Sequence, residues 1–303
     1  MSNVEEIKMN YPFVSVILPV YNGERYIKKC LESLMNQSYP KDKYEVIVID
    51  NGSSDSTVEI LKTITNSQIQ VLYESKRGSY AARNTGVSHS EGEILAFIDS
   101  DCVADNNWLM LGVYNLKLIN NQGVIGGRVE FFSDITNSWG VFDTATFLNQ
   151  EKAVKSGTAV TANLFVPKEI FLKIGLFDDE LQSGGDVEWT KRCKDKGYIL
   201  KYCSEVLVYH PVRSSFKELS KKCFRVGYGN GQILRKNKRF YAIIKPSVSI
   251  PVIKKFRNIS RQFKTKEQCL ILRLVGVVII MQIINYYGKL KGFYNLQYPE
   301  KFD

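Results

Sequence analysis

The sequence predicts an α/β fold in which a mostly parallel central sheet is flanked by helices. Four short strand-like runs recur in the first hundred residues, and the first, residues 13–18, is almost wholly apolar, as is typical of a strand that is buried on both faces. Stretches of helical periodicity separate these runs, and this alternation favours a parallel sheet. The composition of the 303 residues, 44% hydrophobic and 24% charged, is that of a globular protein. It excludes a disordered chain, a collagen-like repeat and a small disulfide scaffold.

The elements alternate regularly up to Asp105 and less regularly beyond it. The first predicted strands cover residues 13–18, 44–49, 69–73 and 94–98, and the helices cover 24–35, a stretch from Thr57, and 80–87. Further helices are predicted at 108–119 and 187–196, with strands at 124–131, 163–166, 198–202 and 206–209. We divide the chain into a tail (1–11), an α/β domain (12–212, with halves 12–105 and 106–212) and a basic helical region (213–303).

The net charge of +10 is unevenly distributed. From Arg213 to Lys291 there are 19 lysines and arginines but only two acids, Glu218 and Glu267, which gives +17 and leaves −7 for the rest of the chain. Such a segment predicts a polyanionic partner: nucleic acid, phospholipid or a pyrophosphate group. The N-terminus has no secretory signal pattern and the six cysteines are scattered without a CxxC pair, so we expect a cytosolic protein.

The basic region contains an amphipathic segment followed by an apolar run. Over residues 252–264, apolar side chains share one helical face and basic ones lie elsewhere. The run at 274–281 is bounded by Arg273, Gln282 and Asn285, and it is shorter than the roughly 20 residues that span a bilayer. Two interpretations are open: the region lies in a membrane interface, or it packs on the α/β domain as a helical hairpin.

Two aspartates stand where apolar strands are predicted to end. Asp50 and Asp99 occupy equivalent positions, and ligands of open parallel sheets bind beyond the carboxyl ends of the strands. Asp101 adds a second carboxylate two residues after Asp99. Mg²⁺ and Mn²⁺ prefer oxygen ligands and are commonly held by one or two carboxylates together with substrate phosphates. The pattern therefore indicates a nucleotide diphosphate bridged by Mn²⁺ or Mg²⁺.

Two further residues are candidates with a structural alternative each. Asp186 follows two glycines and opens a predicted helix, where it is either a helix cap or a general base that takes a proton from a hydroxyl. His210 closes a predicted strand and is a structural residue, a metal ligand or a contact for a phosphate. The motifs of dinucleotide oxidoreductases, P-loop nucleoside triphosphatases and serine hydrolases are absent from the sequence.

Five motifs together resemble the family 2 glycosyltransferases, which have the GT-A fold. They are residues 16–22 (VILPVYN), 48–55 (VIDNGSSD), 82–86 (ARNTG), 96–101 (AFIDSD) and 177–180 (FDDE) leading into Gly185 and Asp186. Their order and spacing cover about two-thirds of the chain. The resemblance implies the transfer of one sugar from a nucleotide diphosphate donor, a UDP-sugar by default, to an acceptor hydroxyl with inversion at the anomeric carbon.

The resemblance also implies a role for each matching residue. Pro19, Tyr21 and Asn22 line the nucleoside pocket, Asp50 bonds the base, Arg83 orients the donor, Asp99 contacts the ribose or the sugar, Asp101 binds the metal and Asp186 is the catalytic base. One departure concerns Gly185, because the family commonly has a glutamate there; Glu188 is the candidate for part of that role. A second is the absence of the QxxRW sequence of processive synthases, which predicts single additions.

The basic region suggests the acceptor and the location. Many relatives act on lipid-linked intermediates at the cytosolic face of a membrane, and an anionic leaflet attracts basic segments. We therefore expect a peripheral membrane protein with a lipid-linked or polysaccharide acceptor. Two alternatives stay open. One is a catalytically silent relative that binds a nucleotide sugar or acts as a scaffold; the other is a nucleic-acid-binding protein, although the tail has no recognised nucleic-acid motif.

Overall fold

A computed structural model describes residues 11–132, 137–239 and 267–299, with the side chains of the last segment from Arg273 onward. The strands are β1 (Val14–Val20), β2 (Tyr44–Asp50), β3 (Ile69–Tyr73), β4 (Ile94–Ile98), β5 (Val103–Ala104), β6 (Gly123–Phe132), β7 (Asn163–Pro167) and β8 (Ile199–Pro211). The helices are α1 (Ile27–Met35), α2 (Thr57–Lys62), α3 (Ser79–His89), α4 (Trp108–Leu118), α5 (Ser138–Thr146), α6 (Gln150–Lys155), α7 (Lys168–Ile174), α8 (Gly185–Asp195), α9 (Phe216–Lys236) and α10 (Glu267–Phe293). A 3₁₀ turn at Lys41–Lys43 precedes β2.

The eight strands form one sheet in the order β3-β2-β1-β4-β7-β6-β8-β5. The pairs β2–β3, β1–β2, β1–β4 and β6–β8 are parallel, whereas β7 runs antiparallel to β4 and β6, and β5 runs antiparallel to β8. The predicted α/β class with flanking helices is confirmed, and the sheet is mixed because β7 enters it in the opposite direction. The carboxyl ends of β1, β2, β3 and β4 lie at one edge.

Alternation along β1 builds a core on each face of the sheet. Val14, Val16, Leu18 and Val20 pack with α1 and α4 on one face, and Ile17 packs with α3, α7 and α8 on the other. All seven residues of β1 are buried, as the apolar run predicts for a central strand. A third, smaller core joins α5, α9 and α10. The active-site edge therefore has a rigid floor, and the helices of the third core stand beside it.

The strands predicted at 198–202 and 206–209 are one strand, β8, which pairs with β6 along its whole length. The register between the two shifts at Gly127/Arg128, so Cys203 is opposite Gly127 and Leu207 is opposite Arg128. The polar residues Ser204 and Glu205 lie in this irregularity and made the run look interrupted. The amphipathic segment predicted at 252–264 lies outside the described residues. Cys30, Cys102, Cys193, Cys203 and Cys223 are free thiols.

The C-terminal helix α10 is longer than the apolar run that predicted it. Gln282 and Asn285 do not end it; the Asn285 side chain instead donates a hydrogen bond to the Cys223 carbonyl of α9 over 2.9 Å. Among the described residues, Arg273–Phe293 of α10 is the stretch long and apolar enough to cross a bilayer, and about a third of it is buried in the protein. One side of α10 packs on α9 and α5, as the hairpin interpretation predicts.

Candidate active site

Two adjoining cavities form a cleft at the carboxyl edge of the parallel strands. One, of about 470 Å³, extends towards Asn51 and Arg77, and we call it the Arg77 cavity. The other, of about 540 Å³, extends towards Thr161 and Asp186, and we call it the Asp186 cavity. They share wall residues, among them Pro19, Tyr21, Asn22, Asp101 and Arg213. The two cavities are thus the ends of one cleft, as expected where parallel strands end.

Tyr21 and Asn22 hold the turn after β1 at the centre of this cleft. Asn22 has a left-handed backbone (φ 50°), and its side-chain oxygen accepts a hydrogen bond from the Ser54 N–H over 2.8 Å. The guanidinium of Arg77 lies over the Tyr21 ring, 4.6 Å from its centroid. This cation–π contact leaves the ring partly exposed at the junction of the two cavities. With Pro19, these predicted binding residues all line the cleft.

Asp50 lies beneath the cleft and is not among the residues that line either cavity. It is 4% exposed, and its carboxylate accepts hydrogen bonds from the backbone N–H groups of Gly52 and Ser53 at 3.2 and 3.3 Å. Gly52 has a φ of 77°, so the carboxylate closes a turn that glycine permits. Asn51, which the sequence analysis did not single out, lines the Arg77 cavity beside it. The contact of Asp50 with a base stays a prediction.

Arg83 and Asp99 form a short ion pair on the floor of the Asp186 cavity. Nη2 of Arg83 lies 2.6 Å from Oδ1 of Asp99, and Arg83 itself is buried. The guanidinium also lies 5.4 Å from the centroid of the Tyr80 ring. The pair fixes the orientation of the Asp99 carboxylate, which lines the cavity. Both predicted residues therefore meet at one point of the site.

Asp101 and His210 come together because β5 pairs with β8. The register sets Val103 opposite Tyr209, which brings the residues on either side within reach of each other. Oδ2 of Asp101 is 3.2 Å from Nε2 of His210, a side chain that is 1% exposed. Burial alone would raise the pKa of Asp101, but the neighbouring His210, Arg213 and Lys222 hold it well below its ordinary value. The two predicted metal residues thus form one cluster.

This cluster has the donor set that a divalent cation of the Mn²⁺ type accepts. Nδ1 of His210 lies 2.6 Å from the Pro211 carbonyl oxygen, so we assign a proton to Nδ1, and Nε2 is the ring nitrogen that faces Asp101. A carboxylate oxygen and an imidazole nitrogen suit Mn²⁺. Within the described residues no three His, Cys, Asp or Glu side chains gather for metal binding. A metal held by these two residues would need its remaining ligands from substrate phosphate and water.

Arg213, which the sequence analysis did not assign, reaches the same two atoms. Its Nη2 is 3.1 Å from Nε2 of His210 and 3.7 Å from Oδ2 of Asp101. Behind it lies Asp143 of α5, which is fully buried, with Oδ1 3.5 Å from Nη1 of Arg213 and Oδ2 accepting the Arg213 backbone N–H over 2.9 Å. Asp143 therefore holds Arg213 against the cleft. The sequence carried no signal for this contact, because Asp143 sits in a helix without a motif.

Asp186 lies across the cleft, on the first turn of α8. The helix begins after Gly184, whose φ of 81° suits glycine, so Asp186 is its second residue and not its cap. Its Oδ1 accepts from the Tyr80 hydroxyl and the Val187 N–H, both over 2.9 Å. Its Oδ2 accepts from the N–H of Thr161 over 3.0 Å and from the Thr161 hydroxyl over 3.3 Å. Four donors thus stabilise the ionised carboxylate at the cavity wall.

Glu188 does not take the place of the glutamate that is missing at Gly185. It forms an ion pair with Arg192 on its own helix, 2.9 Å from Oε1 to Nε, and it is not among the residues lining the Asp186 cavity. The ring of Tyr80 packs against Gly185, where an added Cβ would lie 2.9 Å from ring atoms. A larger residue at position 185 would displace Tyr80, and the two residues therefore depend on each other.

Helix α9 supplies a basic wall that faces both cavities. Lys222 and Arg225 line both of them, and the ammonium group of Lys222 lies 5.6 Å from the centroid of the Phe147 ring. Burial and the nearby Arg213 and Arg225 cations lower the pKa of Lys222 to about 7. The charge asymmetry of the sequence predicts a basic C-terminal region, but it does not predict that α9 of this region faces the cleft. This wall carries more positive charge than its neighbouring acids neutralise, which favours an anionic ligand.

The comparisons with known proteins agree with this geometry. The model of the family "Glycosyl transferase family 2" matches residues 15–175, more than half of the chain. The chain belongs to glycosyltransferase family 2. It is 45% identical to Glycosyltransferase AglE of Haloferax volcanii over 229 residues, which is 73% of this glycosyltransferase and 74% of AglE.

More distant proteins extend the likeness. A dolichyl N-acetyl-α-D-glucosaminyl phosphate 3-β-D-2,3-diacetamido-2,3-dideoxy-β-D-glucuronosyltransferase of Methanococcus voltae is 25% identical, over 74% of each chain. The mannosyltransferase PcManGT of Pyrobaculum calidifontis, solved with GDP-Man and Mn²⁺, matches at a TM-score of 0.65 and 18% identity, over 95% of this glycosyltransferase and 89% of PcManGT. Staphylococcus aureus TarS 1–349, solved with UDP-GlcNAc, matches at 0.55 and 20%, over 95% and 93%. These two structures support the GT-A fold.

Proposed function

We propose that this glycosyltransferase moves one sugar from a nucleotide diphosphate sugar to an acceptor hydroxyl with inversion of the anomeric carbon. The observation that carries the proposal is the arrangement of the Asp186 cavity. The cluster of Asp101, His210 and Arg213 lines the same cavity as Asp186. A diphosphate held at this cluster would direct its sugar into the space that Asp186 faces.

The donor is held by residues of both cavities. We assign the nucleoside to the Arg77 cavity, where Pro19, Tyr21 and Asn22 form one side, and the diphosphate to the junction, where Arg213, Lys222 and Arg225 supply positive charge. Asp99, oriented by Arg83, bonds the ribose or the sugar. We keep a UDP-sugar as the default donor. These three cations support a diphosphate, because each of its two phosphate groups can form an ion pair with a basic side chain of this wall.

Asp186 acts as the base. The acceptor oxygen attacks the anomeric carbon from the side opposite the diphosphate, the bond to the diphosphate breaks with its electron pair, and the proton of the acceptor passes to a carboxylate oxygen of Asp186. Since both oxygens of Asp186 already accept hydrogen bonds, the weakest of these, from the Thr161 hydroxyl, is the one that yields. A Mn²⁺ or Mg²⁺ ion held by Asp101 and His210 would stabilise the charge that develops on the diphosphate.

The acceptor is a lipid-linked or polysaccharide intermediate at the cytosolic face of a membrane. The Methanococcus voltae relative is named for a dolichyl phosphate saccharide, which supports the lipid-linked class. The basic segment from Arg213 to Lys291 supports membrane proximity, because anionic lipid attracts basic segments by about 1 kcal/mol per nearby lysine or arginine. The enzyme is thus a peripheral cytoplasmic protein in this proposal.

The test is nucleotide release from UDP-, GDP- and dTDP-sugars with Mn²⁺ or Mg²⁺, with nucleotide binding measured on the same samples. We expect slow hydrolysis of one donor that is abolished by EDTA and by Asp101→Ala. Asp186→Asn is expected to keep donor binding and to lose about 10²–10⁴-fold in transfer rate. Binding of no nucleotide by any sample would contradict the proposal, and binding with no turnover after a suitable acceptor is added would identify a silent relative.

A further inference from the structure

The outward side of α10 is a largely apolar surface. Between Arg273 and Lys291 the exposed residues on this side are aliphatic or tyrosine; Gln282, which is half-buried, lies at one edge of them, and no charged side chain interrupts them. Six residues on this side are each 38–63% exposed to solvent: Val275, Ile279, Ile280, Ile283, Tyr286 and Tyr287. With Tyr294 just beyond the helix, the surface is about 30 Å long at 1.5 Å per residue. Contiguous apolar surfaces of this length mark an interaction site, unlike single exposed apolar residues.

The inward side of α10 fixes the direction in which this surface points. Leu274, Val277 and Met281 pack in the third core. Farther along, the glycines Gly288 and Gly292 lie so close to α9 that an added Cβ would overlap the carbonyl oxygens of Phe224 and Tyr228. Backbone contacts of this kind hold two helices at a fixed distance. The apolar surface is therefore a rigid feature of the protein and not a loosely attached segment.

This packing excludes an orientation in which α10 crosses a bilayer. Along its length α10 contacts α9, and the opposite side of α9 carries Lys222 and Arg225 into the cleft. A spanning α10 would carry these charges and the cleft into hydrocarbon, where charged side chains are strongly disfavoured. An α10 parallel to the membrane surface leaves them in water. Monotopic proteins bind membranes through amphipathic helices of this orientation.

The positive charge of the neighbouring sequence favours an anionic membrane as the partner that covers this apolar surface. The 27 residues that lead into α10, 240–266, contain seven lysines and arginines and no acid. Anionic headgroups complement such a segment, whereas a second copy of the chain would bring a second segment of the same charge beside it. Tyr286, Tyr287 and Tyr294 on the surface are residues that favour the membrane–water boundary.

We infer that the outward side of α10, from Val275 to Tyr294, is the surface that binds an anionic bilayer, with the helix axis parallel to the membrane. This deepens the proposed function and rests on it only for the nature of the acceptor. The other side of the helix pair contacts the loop before Asp186: Gln232 bonds Glu180 and Gln182, and Lys236 pairs with Asp178. Bilayer contact thereby orients the cleft relative to acceptors in the same membrane.

The first test is sedimentation of the full chain with phosphatidylglycerol-containing vesicles and with phosphatidylcholine vesicles. We expect Ile279→Asn and Ile283→Asn to reduce binding to the anionic vesicles by roughly tenfold each, since each removes a large apolar side chain from the lipid. Leu172→Asn on α7, where the leucine is 73% exposed and remote from α10, is the matched control and is expected to bind as the wild type does.

Three results would overturn the inference. The first is that the α10 variants bind vesicles as well as the wild type does. The second is that binding is abolished only by charge reversal at Lys254, Lys255 and Arg257. The third is that the wild type is a dimer in solution and that the α10 variants dissociate it. Nucleotide release without membranes is measured on the same variants and is expected to be unchanged. Loss of membrane binding with normal release separates this inference from the proposed function.

The second test concerns orientation. Nitroxide labels on Val275→Cys and Ile283→Cys, with Cys269 replaced by serine, are compared for depth in anionic vesicles. The two sites are about 80° apart around the helix, so a helix parallel to the surface predicts depths that differ by only a few ångströms. A depth difference approaching the 12 Å that separates the two sites along the axis, about 1.5 Å for each of eight residues, would indicate a spanning helix and overturn the parallel orientation.

Discussion

The hydroxyl of Tyr80 donates a hydrogen bond to Oδ1 of Asp186 over 2.9 Å, and the ring that carries it packs on Gly185, the neighbour of Asp186. Burial raises the pKa of Tyr80 well above its ordinary value, so the hydroxyl keeps its proton and remains a donor. The same ring contacts Arg83. Tyr80 therefore connects the candidate base with the candidate donor-orienting pair.

We predict that Tyr80→Phe lowers the transfer rate by roughly 10–100-fold, since a hydrogen bond to a charged group contributes about 1.5–3 kcal/mol. Without this donor the Asp186 carboxylate loses one of the contacts that fix its orientation, so we expect the rate at saturation to fall while the KM for the donor changes little. Steady-state kinetics with varied donor measure both quantities. Tyr114→Phe, at an exposed tyrosine of α4, is the control. An unchanged rate in Tyr80→Phe would mean that Tyr80 only fills space.

Lys222 gives donor binding a pH dependence. Its pKa is lowered to about 7 by burial and by Arg213 and Arg225, with Asp99 and Asp143 acting in the opposite direction. The ammonium group that attracts a diphosphate is therefore lost above pH 7, and the KM for the donor is expected to rise by up to about tenfold per pH unit. Lys222→Arg keeps its charge and should flatten this rise. A flat wild-type KM up to pH 9 would contradict the assignment.

Lys222 also affects the free energy of unfolding, which its titration increases as the pH rises, whereas the same titration weakens donor binding. The folded protein releases the Lys222 proton near pH 7, whereas the unfolded chain keeps it up to about 10.5. Between these values the unfolded state binds more protons, so this group makes the free energy of unfolding increase with pH. Urea denaturation of the wild type and of Lys222→Met at pH 6.5 and 8.5 measures the effect, and the increase should be smaller in the variant. An equal increase in both proteins would mean that groups other than Lys222 cause the pH dependence of the free energy of unfolding.

Asp143 is expected to act through Arg213. Asp143→Asn preserves the shape of the side chain but removes the charge beneath the guanidinium, and breaking a buried ion pair costs about 3 kcal/mol or more. Thermal denaturation should show the loss, and donor KM should rise while the rate at saturation changes less. Glu130→Gln, which affects an exposed pair with Arg128, is the matched control. If Asp143→Asn is less stable but keeps the donor KM of the wild type, Asp143 has only a structural role.

The contact between α9 and α10 predicts opposite effects for two glycines. Gly292→Ala places a Cβ against the Tyr228 carbonyl and should destabilise the protein by about 1–3 kcal/mol. Gly276→Ala, on the same helix, meets no atom within 4 Å and should stabilise it by about 0.5–1 kcal/mol. Comparing the melting temperatures of the two variants tests the close packing. Similar melting temperatures would mean that the helices are farther apart.

The sequence predicted the elements whose patterns are local. Apolar runs such as Ile94–Ile98 identified β1 to β4, and the order of five motifs identified the family. It could not predict that β8 is continuous, because the irregularity opposite Gly127 depends on pairing with β6. The contacts of Arg213 with Asp143 and of Tyr80 with Asp186 were also beyond it. Each joins residues far apart in the chain, and no local pattern records such a contact.

The pairing of β5 with β8 has a consequence for the synthesis of the protein. Asp101 leaves the ribosome long before His210, and the two meet only after Tyr209 has joined Val103. Even earlier, until residues 163–167 have emerged, β4 lacks its neighbour β7 and the nascent chain exposes an open sheet edge. A shortened chain that ends before β8 would retain most of the residues that identify the family and yet lack His210 and Arg213 of the candidate site. Such long-range pairing delays folding, and chaperones that shield open edges would then raise the yield of active enzyme.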